Sequence, residues 1–184
     1  APCVVWLDEV DKGLAGLGAS RSDAGTGGRV LATLLTWLND RDRPSFVVAT
    51  ANDIERLPPE LMRRGRLDET FFVDLPDARA RASICTIHLL HRPARVLGKA
   101  PPLADDPAAF TALAEGAEGL SGAELEGALT EARLAAFERG ESLSATDFER
   151  ALAQTVPLSR SRADELRALR EWATSRARPA GADR

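Results

Sequence analysis

The chain has 184 residues, 44% of them hydrophobic, and its 24 Lys and Arg against 28 Asp and Glu give a net charge of -4. That is enough apolar material for one large domain or two small ones, and no apolar run approaches the ~20 residues that span a bilayer. With six Phe, three Trp, no Tyr and an acidic balance, neither a membrane nor a nucleic acid is the expected partner, although the arginines near the C-terminus form a local basic patch.

Residues 3–9, CVVWLDE, are an apolar run without alternation that ends in two adjacent carboxylates. The pattern predicts a strand buried on both faces of a parallel sheet, with Asp8 emerging at its carboxyl end, where α/β folds place ligands. An acid there commonly serves as a helix cap. The chemistry that needs a pair is nucleotide hydrolysis, with Asp8 holding Mg²⁺ through its hydration shell and Glu9 polarising the attacking water. Residues 12–28, rich in Gly, Ser and Ala, predict a mobile loop. Val30, Leu31, Leu34, Leu35 and Leu38 then recur at helical spacing and predict a helix packed on the sheet, with Trp37 partly buried on it.

From Ser45 the sequence SFVVATANDIERLPPELMRRGRLDETFFVDLP predicts a second buried strand, a polar turn, a short helix opened by Pro58 and Pro59, and a third apolar run. Arg63, Arg64 and Arg66 read alone as a solvated basic face, with Asp68 and Glu69 paired to them. From Asp77 the pattern is helical. Cys85, His88 and His91 fall three apart, but that spacing turns Cys85 and His91 roughly 120° from each other, and no fourth ligand is evident for a zinc site. His88 is read as a packing or capping residue.

Residues 92–107 predict a linker from their prolines and small residues. Beyond it, Ser121 and Glu124 form a capping-box pattern, Ser144 and Asp147 a second cap, and Leu166, Leu169 and Trp172 one stripe of a last helix. Residues 176–184 have no apolar period and are expected to fray. Cys3 in a core strand and Cys85 in a helix make a disulfide framework improbable, which fits a reducing cytoplasm.

An acid pair after a strand, a strand-end Asn52 and an Arg-x-Gly-Arg-x-Asp segment, in that order, resemble the AAA (AAA+) ATPases over residues 3–172. PPELMRRGRLDETFFVDLP and VPLSRSRADELRALREWATSRAR are most similar to the AAA proteins of plastid and cyanobacterial genomes and their bacterial relatives. The resemblance implies an α/β fold, the carboxyl part of a P-loop NTPase parallel-sheet core followed by an all-α helical lid. It implies a core over 1–91, a linker over 92–106, a lid over 107–178 and a frayed tail over 179–184. Asp8 is then the Walker B metal ligand, Glu9 the catalytic acid, Asn52 the sensor 1 amide, and Arg63 and Arg66 the arginines presented to a neighbouring subunit's nucleotide. Guanidinium groups suit that role because they are permanently charged and offer a planar fork to phosphate oxygens. Gly122 and Ala123 correspond to the lid helix that approaches the base or ribose; Ala123 stands where other groups place a phosphate-contacting Arg. The loop at 12–28 corresponds to a second pore loop, or is a plain solvent linker.

The implied cofactors are ATP and Mg²⁺, and the implied assembly is a homo-oligomer, a hexamer, acting on an unidentified protein substrate. No Gly-x-x-x-x-Gly-Lys-Ser/Thr occurs in these residues, so no loop here cradles phosphates. The expectation is a piece of a longer protein that is inactive alone, with one apolar edge or face of its sheet exposed. The alternatives are a nucleotide-gated scaffold with little turnover and a nucleic-acid motor, which the acidic balance and Ala123 oppose. The metalloprotease branch is disfavoured, since no His-Glu-x-x-His follows the lid.

Overall fold

A computed structural model describes residues 2–14, 24–40, 44–63, 65–97 and 102–181. They divide into two compact units, Ala1–Thr70 and Phe71–Arg184.

In the first unit, β1 (Cys3–Leu7) leads into α1 (Val10–Leu14), α2 (Ala24–Asn39) and β2 (Ser45–Ala49). The two strands pair in parallel from Cys3 opposite Ser45 to Leu7 opposite Ala49, as a helical crossover between parallel strands permits. One core holds the unit: Leu14, Leu38, Leu57 and Leu61 are buried, with Leu31, Leu34, Leu35 and Val47 packed on them. This is the predicted apolar stripe of α2 meeting the sheet. The predicted loop 12–28 is helical at both ends, residues 12–14 in α1 and 24–28 in α2, and its middle, 15–23, lies outside the described residues.

β1 is not buried on both faces. Val5 and Leu7 turn toward the core, whereas Val4 and Trp6 are 69% and 63% exposed, as is Phe46 of β2 at 69%. The described sheet here has two strands and α2 covers one side of it, so alternation reappears in burial where it is missing in sequence. Cys3, the first residue of the strand, is exposed as well. Trp37 is partly buried as expected, at 39% exposed.

The second unit is helical: α3 (Ala78–Thr86), a π-turn at Ile87–His91, α4 (Arg92–Leu97), α5 (Pro107–Gly116), α6 (Gly122–Glu138), α7 (Ala145–Gln154), α8 (Leu158–Ser161) and α9 (Ala163–Arg176). Its core gathers Cys85 and Leu89, Phe110 and Ala114, Leu125 and Leu129, and Phe148, with the Phe110 and Phe148 rings stacked at 6.2 Å. Both predicted caps form. Ser121 and Glu124 exchange bonds of 3.3 and 2.6 Å, and Ser144 and Asp147 make the equivalent box at α7.

Three boundaries differ from the sequence expectation. The division falls at Thr70/Phe71 rather than after residue 91, because the apolar side of α3 is part of the helical core and Arg81 ties α3 to the end of α5. The predicted linker 92–106 is structured where it is described. The helix continues through Pro93, which has no amide to give to either His88 O or Leu89 O, the i−5 and i−4 acceptors; Arg133 Nη2 donates to both, at 2.5 and 3.2 Å. Leu103 then bridges to Leu143, and Asp105 accepts from Ala145 N at 2.8 Å. The predicted frayed tail includes β4 (Arg178–Pro179), parallel to β3 (Phe71–Phe72), and Ala180 N donates to Phe72 O at 2.8 Å. Backbone pairing needs no apolar period, so the sequence carried no sign of it.

Asp147 is buried, and its carboxylate accepts from Ser144 Oγ at 2.7 Å and from Arg139 Nη2 at 2.8 Å. The Ser144 hydroxyl first, then the Ser144 amide and the Arg139 guanidinium, hold its acid below the ordinary carboxyl value against the opposing effect of burial. A depressed carboxyl contributes stability that is complete above its unfolded value, ~3.9, and is lost as pH falls through the lower folded value. The helical unit is therefore expected to weaken below about pH 4, and Asp147→Asn to flatten that acid limb while costing roughly 1–3 kcal/mol at neutral pH. Urea midpoints measured from acid to neutral pH check both.

Candidate active site

The two parallel strands end side by side, and the acid pair of one meets the polar turn of the other. Asn52 Nδ2 donates to Glu9 Oε1 at 3.2 Å, and Lys12 Nζ donates to the same oxygen at 2.6 Å. Asp8 is exposed; its Oδ1 accepts from the Thr50 hydroxyl at 2.6 Å, and its Oδ2 has no hydrogen bond among the described residues. The predicted trio Asp8, Glu9 and Asn52 is thus one cluster. The bond from Glu9 holds the Lys12 ammonium above its ordinary value.

Backbone geometry adds to this. Glu9 has φ 48°, the single positive value at a non-glycine among the described residues, in a region that costs an L-residue about 1–2 kcal/mol. Buried Asp11, in the first turn of α1, accepts from Asp53 N at 3.2 Å and so fixes the peptide that follows Asn52. Asp53 in turn caps the 3₁₀ turn Ile54–Arg56. That turn precedes Pro58 and Pro59, which start no regular helix; bonds from Leu61 N to Pro58 O and Met62 N to Pro59 O close tight turns instead. Sequence reasoning missed Thr50, Asp11 and Lys12. The only trace of them was a polar residue at each strand end beside the assigned ones.

The arginine segment lies in the same unit, and neither Arg63 nor Arg66 hydrogen-bonds with Asp8, Glu9 or Asn52. Arg66 is anchored, its Nε donating to Asn39 Oδ1 at 3.0 Å and its Nη1 to Glu60 O at 2.7 Å. Arg63 is exposed, with no side-chain partner among the described residues. Arg64 lies outside them. Asp68 accepts from Gly65 N at 2.7 Å, where an arginine pairing was expected. Gly65 sits at φ 89°, which only glycine adopts without strain.

Gly122 and Ala123 open α6 in the helical unit, half-buried and exposed respectively. A Cβ on Gly122 would meet Ile84 Cδ1 at 3.5 Å, an ordinary contact, so packing within that unit does not demand glycine. Cys85 and His88 are packing residues. Burial pushes the Cys85 thiol up to about 11 despite the nearby Arg133 charge, and His88 Nδ1 lies 3.4 Å from Glu126.

Residues 1–75 match the family model described as AAA, the ATPase family associated with various cellular activities. That segment belongs to the AAA family. It is 40% identical over 173 residues to the uncharacterized AAA domain-containing protein ycf46 of Pyropia yezoensis, covering 94% of this chain and 33% of that protein. It is 36% identical over 139 residues to the cell division cycle protein 48 homolog of Archaeoglobus fulgidus, covering 74% and 18%. The FIGL-1 AAA domain solved with ADP superposes with a TM-score of 0.72 at 19% identity, over 95% of this chain and 57% of that one. The first unit is thus the parallel-sheet part of an AAA core and the second its helical lid. The chain spans about a third of the length of the ycf46 proteins it matches.

Proposed function

We propose that this chain supplies the water-activating and arginine-presenting parts of an oligomeric AAA ATPase that hydrolyses ATP and remodels a protein substrate. The observation that carries it is the bond from Asn52 to Glu9 beside an outward-facing Asp8, three polar groups converging where parallel strands end. The donor set fits Mg²⁺, since Asp8 offers an unengaged hard oxygen. Asp8 would hold the ion, which when bound would neutralise charge developing on the phosphates.

In this reading Asp8 holds the hydrated ion, Glu9 accepts hydrogen bonding from the attacking water, and Asn52 orients that water toward the γ-phosphate. Arg63, exposed and unpaired among the described residues, would serve the nucleotide of an adjoining subunit, as in a hexamer. By the family resemblance, Gly122 and Ala123 would approach the base or ribose. Gly122→Ala is then expected to leave the unfolding midpoint unchanged or slightly raised, since Ala is the better helix former by about 1 kcal/mol, and to weaken nucleotide binding. Equal nucleotide affinity in the variant removes Gly122 from the site.

These residues hold no phosphate-cradling loop, so turnover is tested in the complete gene product. Glu9→Gln keeps the acceptor for Asn52 and removes the base. Turnover per subunit is expected to rise with protein concentration in the wild type and to drop by roughly 10²–10⁴ in the variant, with ATP still bound. Unchanged turnover in Glu9→Gln sinks the assignment. ATP binding without wild-type turnover identifies a scaffold instead.

A further inference from the structure

We propose that Thr50 is a positioning residue that sets the geometry of Asp8 and Glu9, an inference that rests on the ATPase reading of that pair. Every polar group of Thr50 is engaged with the acid turn. Its amide donates to Leu7 O at 2.9 Å and its carbonyl accepts from Val10 N at 2.9 Å. Its hydroxyl donates to Asp8 Oδ1 at 2.6 Å while accepting from Glu9 N at 2.9 Å. One residue at the end of β2 therefore grips four consecutive residues across the sheet.

The grip falls where the backbone needs it. A left-handed glutamate persists only when its surroundings over-determine it, and here the amides on either side of the Glu9 Cα, its own and that of Val10, both end on Thr50. The backbone bonds would form with any residue at position 50. The two hydroxyl bonds would not, and each has its own effect. One holds the peptide that aims Glu9; the other fixes Asp8 through Oδ1 and leaves Oδ2 outward. A hydroxyl can do both at once because it carries one donor hydrogen and two acceptor lone pairs. Strand propensity alone does not require it, since valine suits a strand at least as well.

Thr50→Val keeps shape and β-branching and removes both hydroxyl bonds; Thr50→Ser keeps the hydroxyl. In the 184-residue chain, amide hydrogen exchange at Glu9 is expected to speed up about tenfold in Thr50→Val, beyond any change shared by the other amides of β1 and β2, and to stay near wild type in Thr50→Ser, with a lower unfolding midpoint in Thr50→Val only. In the complete gene product, Thr50→Val is expected to lower kcat roughly 10- to 100-fold and to raise the Mg²⁺ concentration for half-activation, with KM for ATP little changed and Thr50→Ser restoring most of the rate. Glu9→Gln is measured alongside. If it abolishes turnover while Thr50→Val matches wild type in exchange, kcat and Mg²⁺ dependence, the positioning role is wrong. If Val and Ser fail equally, the hydroxyl is not the cause and the proposal also fails. Should Glu9→Gln leave turnover intact, the ATPase reading falls by itself, and the exchange rates still decide whether Thr50 holds the turn.

Discussion

Arg63→Ala is expected to cut ATP turnover of the complete gene product by about 10³-fold or more, the scale of an arginine supplied in trans, without shifting the unfolding midpoint. Arg63 is exposed and has no side-chain partner among the described residues, so its removal costs within ~0.5 kcal/mol. Arg66→Ala behaves differently. Its guanidinium joins Asn39 at the end of α2 to Glu60 O, and losing two such bonds costs roughly 1–3 kcal/mol besides any rate. The two arginines, equivalent as a sequence motif, thus separate into a free one and a tethered one. Mixing settles whether the role is in trans. Subunits carrying Glu9→Gln and subunits carrying Arg63→Ala are each inactive alone, yet a mixed assembly contains interfaces with both groups intact, and turnover is expected to return. No recovery on mixing, with mixed oligomers demonstrated, removes Arg63 from the neighbouring site.

The parts of the site legible in the sequence were those whose side chains carry chemistry in a fixed order: Asp8, Glu9 and Asn52 each follow an apolar run, and the structure brings them together. What holds them was not legible. Thr50 and Asp11 act through contacts more than forty residues apart in sequence, and a threonine or an aspartate at a strand end or in a first helical turn has ordinary local uses. The helical unit shows the same limit. Capping boxes at Ser121 and Ser144 are local and were visible; the role of Pro93 was misjudged because proline reads as a breaker until Arg133, forty residues on, is seen to fill the two carbonyls it leaves. The burial of β1 was over-read because an unbroken apolar run records capacity for burial and not the number of neighbours in the sheet.

Arg81→Met is expected to destabilise the helical unit by roughly 1–3 kcal/mol. Arg81 is 6% exposed, and no carboxylate pairs with it among the described residues. Its charge is met by backbone: Nε donates to Ala114 O and Nη1 to Pro76 O, both at 2.9 Å, and Nη2 donates to Glu115 O. Ala114 and Glu115 lie in the last turn of α5, where the helix dipole places its negative end and Ala114 O has a single 3.2 Å bond from the C-cap amide of Ala117. One guanidinium fork therefore closes α5, binds α3 to it and holds the entry to α3 through Pro76. Methionine keeps the aliphatic stem and removes all three bonds, with Ala114 O keeping only its bond from Ala117 N, so the loss measures the fork and not the volume. Arg81→Lys, with a single ammonium in place of the planar fork, is expected to fall between. Arg79→Met, an exposed change on the same helix, is expected to stay within ~0.5 kcal/mol. Urea unfolding of the three variants checks the ranking. A loss under about 1 kcal/mol in Arg81→Met would mean that water reaches those carbonyls, and that α3 is held to α5 by its apolar contacts alone.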